Sequence, residues 1–176
     1  MIKKIPVVLV VAIGAVLAYA AMQPDTFSLQ RSARIAAPPE RLYPLIADMK
    51  AFNTWNPWLR KDPSTKLSYS GPPNGVGSAY AWESEQLGAG RMEVTDLAPN
   101  SRVAAKLEFL KPMEARNRVE FTLQPQGPQT DVTWTMSGPM PYVSKLICVF
   151  ISMDRMVGPD FEAGLANLKT EAEKKP

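Results

Sequence analysis

Six stretches of this 176-residue chain alternate apolar and polar residues with a period of two. Phe27, Leu29, Ala33 and Ile35 alternate with Ser28, Gln30, Ser32 and Arg34. Val103, Ala105, Leu107 and Phe109 alternate with Arg102, Ala104, Lys106 and Glu108. Val119, Phe121 and Leu123 are set against Arg118, Glu120 and Thr122, and Val132, Trp134 and Met136 against Asp131, Thr133 and Thr135. Shorter runs give Val76, Tyr80 and Trp82 one parity, and set Met92 and Val94 against Arg91, Glu93 and Thr95. Successive side chains of an extended chain point to opposite faces, so each run makes a strand with one apolar and one polar face. Such strands belong to antiparallel sheets covered on one side. Gly, Pro and Asn at 71–75, 87–90, 98–100 and 125–128 mark the loops or hairpin connections between them. With a weaker segment at 65–70, the expectation is about seven strands joined mostly by short connections.

Two regions carry a helical period instead. Leu42, Leu45, Ile46, Met49 and Phe52 have helical spacing after Pro38-Pro39, a good helix start. Pro44 inside that run predicts two short helices with a kink between them. At the C-terminus Met153, Val157, Phe161, Leu165, Leu168 and Ala172 form an apolar stripe opposite Asp154, Arg155, Glu162, Asn167, Lys169 and Glu173. Gly158-Pro159 predicts a kink or restart within it, and the apolar segment 143–151 predicts a helical turn or segment ahead of it. Only the C-terminal helix is long enough to cover the sheet's apolar face. A curved sheet wrapped round such a helix leaves a hollow lined from both sides.

The N-terminus stands apart. Lys3-Lys4 precedes residues 5–22, which carry no charge. As a helix this run spans about 27 Å, close to the hydrocarbon core of about 30 Å. An uncleaved membrane anchor fits the length and the flanking lysines, which would stay cytoplasmic. A cleaved signal peptide fits as well, with Ala18-Tyr19-Ala20 as its small-x-small site. Length favours the anchor. Both readings divide the chain at 25/26 and place the domain 26–176 on the exported side, periplasmic or extracellular, secreted in the second case.

Composition excludes whole classes of chemistry. The chain has no histidine, so a Ser-His-Asp triad, a histidine zinc site and the commonest general base are absent. Its single cysteine, Cys148, allows no internal disulfide or cysteine-cluster metal site and, among apolar neighbours, reads as buried and inert. The net charge is +3. Without Lys3 and Lys4 the balance is 20 − 2 = 18 basic against 17 acidic residues, interspersed, which argues against a nucleic-acid partner. No phosphate loop, dinucleotide fingerprint, nucleophile elbow or metal-ligand spacing occurs, so neither a cofactor nor a metal is expected.

Several segments resemble the SRPBCC superfamily, and within it the bacterial polyketide cyclase/dehydrase-like group. They are 35–43, Trp55-Asn56-Pro57-Trp58, 76–82, Gly88-Ala89-Gly90-Arg91-Met92, 132–138 and 161–169, in that order along residues 27–176. The resemblance implies the helix-grip fold of START lipid-transfer domains and birch-pollen-type allergens. It is an α+β fold whose curved antiparallel sheet wraps a long C-terminal helix and encloses a hydrophobic cavity. It does not imply one chemistry, since such domains serve as carriers and as cyclases.

Candidate ligand-binding residues follow from parity, helix face and the implied cavity. Trp55 and Trp58 read either as a lid over the cavity or as a plug that closes one end of the sheet. Tyr80, Trp82, Trp134, Met136, Met153, Met156 and Phe161 read as cavity wall or as ordinary core. Asp96 shares the parity of Met92 and Val94, so Asp96 and Tyr80 are the polar groups most expected to point inward. Glu83, Glu85, Glu93, Glu108 and Glu120 mostly fall on polar faces. The leading expectation is a monomeric, non-catalytic envelope protein that holds a hydrophobic, lipid-like or aromatic small molecule, with membrane contact through residues 5–22. The rivals are a cyclase or dehydratase-type enzyme using inward polar groups, and an interaction module whose cavity is filled by side chains.

Overall fold

A computed structural model describes residues 4–174, with side chains from Leu9 onward. Lys3 lies outside the described residues. The elements in order are α1 (Lys4–Ala21), β1 (Thr26–Ile35), α2 (Pro39–Ala47), α3 (Met49–Trp55), α4 (Pro57–Lys61), β2 (Lys66–Ser70), β3 (Ala79–Ser84), β4 (Gly88–Ala98), β5 (Arg102–Lys111), β6 (Ala115–Gln126), β7 (Gln129–Pro139), α5 (Tyr142–Phe150) and α6 (Met153–Glu173).

The seven strands form one antiparallel sheet in the order β1-β7-β6-β5-β4-β3-β2. Strands β2 to β7 are a meander, and β1 joins its far edge against β7 over the register Thr26–Pro139 to Ile35–Thr130. The apolar parity of the sequence becomes the inner face: Leu29, Met92, Val94, Val119, Phe121, Val132 and Trp134 are all buried. Helix α6 crosses that face with Phe161, Leu165, Leu168 and Ala172 buried against it. Arg31 on β1 fastens the helix from outside, reaching Asp154 at 2.7 Å and Glu162 at 2.8 Å. Gly158 leaves the room for that guanidinium, since a Cβ there would collide with it.

Four local expectations need correcting. Pro44 does not break α2, which runs through it. The carbonyl it leaves unbonded belongs to exposed Glu40, where water can take the bond. The break falls at Asp48, whose carboxylate accepts from the Lys50 and Ala51 amides at 2.7 and 3.1 Å and starts α3. Asn56 starts α4 in the same way, so the segment holds three short helices rather than two. Likewise α6 is continuous through Gly158-Pro159, and the carbonyl Pro159 frees belongs to exposed Arg155. Val76 is not on a strand: it sits in the turn before β3 and is exposed.

The N-terminal helix α1 packs against α5. The Tyr142 hydroxyl donates to the Leu17 carbonyl at 3.0 Å, and Lys145 Nζ reaches Asp25 Oδ1 at 2.6 Å. Eighteen helical residues span about 27 Å. Among the described residues no helix is long and apolar enough to cross a membrane, so the spanning helix expected at 5–22 finds no support in the structure.

Candidate ligand-binding cavity

A cavity of about 330 Å³ opens where the inner face of β3 to β7, the α3–α4 corner and the first half of α6 meet. Met92, Leu107, Val119 and Met136 form its floor, one from each of four successive strands. Phe52, Trp58 and Leu59 close it from the corner, and Met156, Val157 and Phe161 from α6. Trp82, Leu87 and Phe109 line the end toward the β3–β4 hairpin. Trp82 lies over Gly90 on the paired strand, where a Cβ would collide with the indole and with the Glu108 carbonyl, so this ring position depends on glycine. Trp82 and Phe109 then meet edge to face at 5.7 Å.

Aromatic packing also fixes the inner end. Trp134 stacks on Phe161 with centroids 4.1 Å apart and rings 15° from parallel. The Trp58 indole meets both edge-on, at 5.8 and 6.2 Å. Trp134 Nε1 is buried with no hydrogen-bond partner among the described residues, a cost of about 1–3 kcal/mol that the ring's packing must offset.

Three polar side chains border the cavity. Tyr80 is buried and its hydroxyl oxygen accepts from Asn56 Nδ2 at 3.3 Å. Asn56 also donates to Asn53 Oδ1 at 2.9 Å, and Asn53 donates to the Tyr69 hydroxyl at 3.3 Å, which carries the chain of polar groups to the surface. Burial pushes the Tyr80 phenol well above its ordinary pKa, with the Asn56 hydrogen bond opposing more weakly, so Tyr80 stays a neutral O–H. No acceptor for that O–H is found among the described residues. The third group, Asp160, is bound to Lys61 at 2.5 Å on the rim.

Of the residues singled out from the sequence, Trp58, Tyr80, Trp82, Trp134, Met136, Met156 and Phe161 lie on this wall, and Trp55, Met153 and Asp96 do not. Trp55 is the plug: it is fully buried, its Nε1 donates to the Leu45 carbonyl at 2.8 Å, and its ring packs edge-on against Phe52, Phe121 and Trp134. Met153 begins α6 and stays short of the cavity. Asp96 points outward, half exposed and paired with Arg102. The cause is a bulge between Val94 and Asp96, where one extra residue on β4 inverts the alternation and hands the inward position to Leu97. Cys148 is half-buried rather than buried. Glu93, Glu108 and Glu120 sit in surface ion pairs with Arg91, Lys106 and Arg118.

Sequence reading missed Asn56, Asp160, Leu59 and Leu87. Met92, Leu107, Phe109 and Val119 carried the inward parity that marked their neighbours, and Phe52 and Val157 lay on the helical stripes. Asn56 stood in the sequence only as part of Trp55-Asn56-Pro57-Trp58, and its contact with Tyr80 spans 24 residues. No cluster of acidic, cysteine or histidine side chains fit to hold a metal ion occurs among the described residues.

A sheet curled round a C-terminal helix with an apolar hollow between them defines a helix-grip domain. Residues 26–173 match the family described as polyketide cyclase/dehydrase and lipid transport, and the chain belongs to that family. Solved structures of the same fold include a protein from Mesorhizobium loti (19% identity, TM-score 0.61, covering 85% of this chain and 99% of that one). A protein from Chromobacterium violaceum is similar at 19% identity and TM-score 0.59, covering 87% and 100%. The Aha1 dimer from Colwellia psychrerythraea is similar at 22% identity and TM-score 0.57, covering 84% and 96%. At these identities the likeness is one of fold. No curated protein matches the chain.

Proposed function

We propose that this protein is a binding protein or carrier for one hydrophobic small molecule, lipid-like or aromatic, held between the sheet and α6. The observation that carries this reading is a cavity of about 330 Å³ whose wall is apolar apart from Tyr80, Asn56 and Asp160. That volume falls at the lower end of the range of small-molecule sites, and a few placed polar groups in an apolar wall are what orients a bound ligand. The unmatched Tyr80 O–H would donate to a single oxygen on the ligand. The family's description, which includes lipid transport, supports the same reading.

A cyclase or dehydratase role has one feature in its favour, the convergence of Tyr80 and Asn56 at the wall. Against it, a phenol held neutral can donate a hydrogen bond but is a poor base at neutral pH, and the carboxylate of Asp160 is committed to Lys61. Binding without catalysis is therefore the better-supported reading. The basic pair Lys3-Lys4 and the uncharged run 5–22 support attachment to the cell envelope with the domain on the exported side.

Native mass spectrometry of the purified full-length protein tests the binding reading. The expected spectrum holds a second species heavier by the mass of one small molecule, which denaturation releases. A single species of bare chain mass, unchanged after incubation with fatty acids and polycyclic aromatics, would count against it. An alkaline phosphatase fusion after Pro176 tests the location: activity is expected, and an inactive fusion would overturn the export reading.

A further inference from the structure

Helix α5 is amphipathic the wrong way round for a helix in water. Val143, Ile147, Phe150 and Ile151 recur at the spacing of one helix face, and all four are exposed, Phe150 by 72%. The one charge on α5, Lys145, is instead turned inward, buried and paired with Asp25. No charged side chain of α5 reaches solvent. The neighbouring α1 continues the surface, exposing Leu9, Val10, Val11, Ile13 and Leu17. Contiguous apolar surface of this kind marks a contact with something other than water.

We propose that α5, together with the adjoining face of α1, lies against a lipid bilayer and holds the Met156 rim of the cavity at its surface. Three observations favour lipid over a protein partner. The stripe itself offers no hydrogen-bonding side chain, as suits a solvent of hydrocarbon chains. Tyr19 and Tyr142, apolar rings with a polar tip, are exposed on the same two helices, and such residues favour the lipid–water boundary. Exposed Arg155, in the first turn of α6 five residues after the end of α5, supplies a cation for anionic headgroups.

The position relative to the cavity is the consequence. Met156 is half exposed, follows the stripe by one turn of chain, and also lines the cavity. A docked α5 brings that rim to the lipid surface, where an apolar molecule could pass between bilayer and cavity without crossing water. The docking stands on the exposed stripe alone, whereas the passage of a ligand rests on the binding reading above.

The test uses full-length protein with Cys148→Ser, which removes the only thiol, and one new thiol at Phe150→Cys, at Met156→Cys or, as reference, at Ser68→Cys on exposed β2. Each is labelled with a polarity-sensitive fluorophore and mixed with vesicles of phosphatidylcholine and phosphatidylglycerol. Labels at 150 and 156 are expected to shift to the blue, to become several-fold less open to iodide, and to be quenched by spin-labelled lipid, while the label at 68 does none of these. Adding Ile147→Glu to the protein labelled at 150 is expected to weaken the protection with circular dichroism unchanged. Equal iodide access at 150 with and without vesicles would overturn the proposal. So would protection that needs no vesicles and grows with protein concentration, which would identify a second copy of the chain as the partner. Protection at 150 but not at 156 would overturn the placement of the rim. Failure of the binding reading looks different: the labels would report docking while no apolar dye binds saturably.

Discussion

Phe161 stacks on Trp134 on one side and borders the cavity on the other, so its deletion removes fewer contacts than deletion of a phenylalanine packed all round. Phe161→Ala is expected to cost about 3 kcal/mol, the low end for such a truncation. Glu162→Ala, on the exposed face one residue on, should stay within about 0.5 kcal/mol, since Arg31 keeps Asp154. Urea melts of both variants check this, and equal losses would contradict the helix face. Tyr80 gives a pH signature. Its phenol ionises above the unfolded value of about 10, so its contribution to stability is complete below that pH and is lost as pH rises toward the folded value. Tyr80→Phe should change stability by about 0.5–1.5 kcal/mol at neutral pH. It should also flatten the decline that sets in above about pH 10, read from urea melts at each pH. Parallel declines in wild type and variant would contradict a buried neutral phenol.

Among the elements, α6 depends on one close approach. A Cβ at Gly164 would stand 2.6 Å from Trp134 Cζ3 and 3.2 Å from Pro57 Cδ. Alanine normally stabilises a helix interior by about 1 kcal/mol over glycine. Here the clash with a stacked indole and a proline ring should win, so Gly164→Ala is expected to destabilise by about 1–3 kcal/mol. A higher melting temperature would contradict the packing of α6 on Trp134. The elements themselves were legible because alternation and helical spacing report burial, and burial is what folds them. The strands, the long helix and most of the cavity wall follow from that. What escaped depends on geometry that a periodic pattern does not carry. The bulge at Thr95 reverses Asp96 without altering the residues on either side. Pro44 and Pro159 are tolerated because the carbonyls they free belong to exposed residues. Asn56 meets Tyr80 only because the α3–α4 corner folds over β3, a contact fixed by tertiary placement.

At the scale of the whole molecule, the sheet and α6 meet through bulky aromatics at one end and diverge toward β3 and β4, which leaves space that side chains do not fill. The account stands on that space taking up one apolar molecule. The most direct measurement is a fluorescence titration of a neutral solvatochromic dye into full-length wild type and into Val119→Phe, which adds bulk to the cavity floor and leaves the exposed α1–α5 surface untouched. Circular dichroism and urea melts establish that the variant is folded. The account predicts that wild type saturates with one dye per chain and that folded Val119→Phe binds at least about tenfold more weakly, a loss of about 1.4 kcal/mol. Dye uptake that never saturates, or that is the same in both proteins, would contradict it.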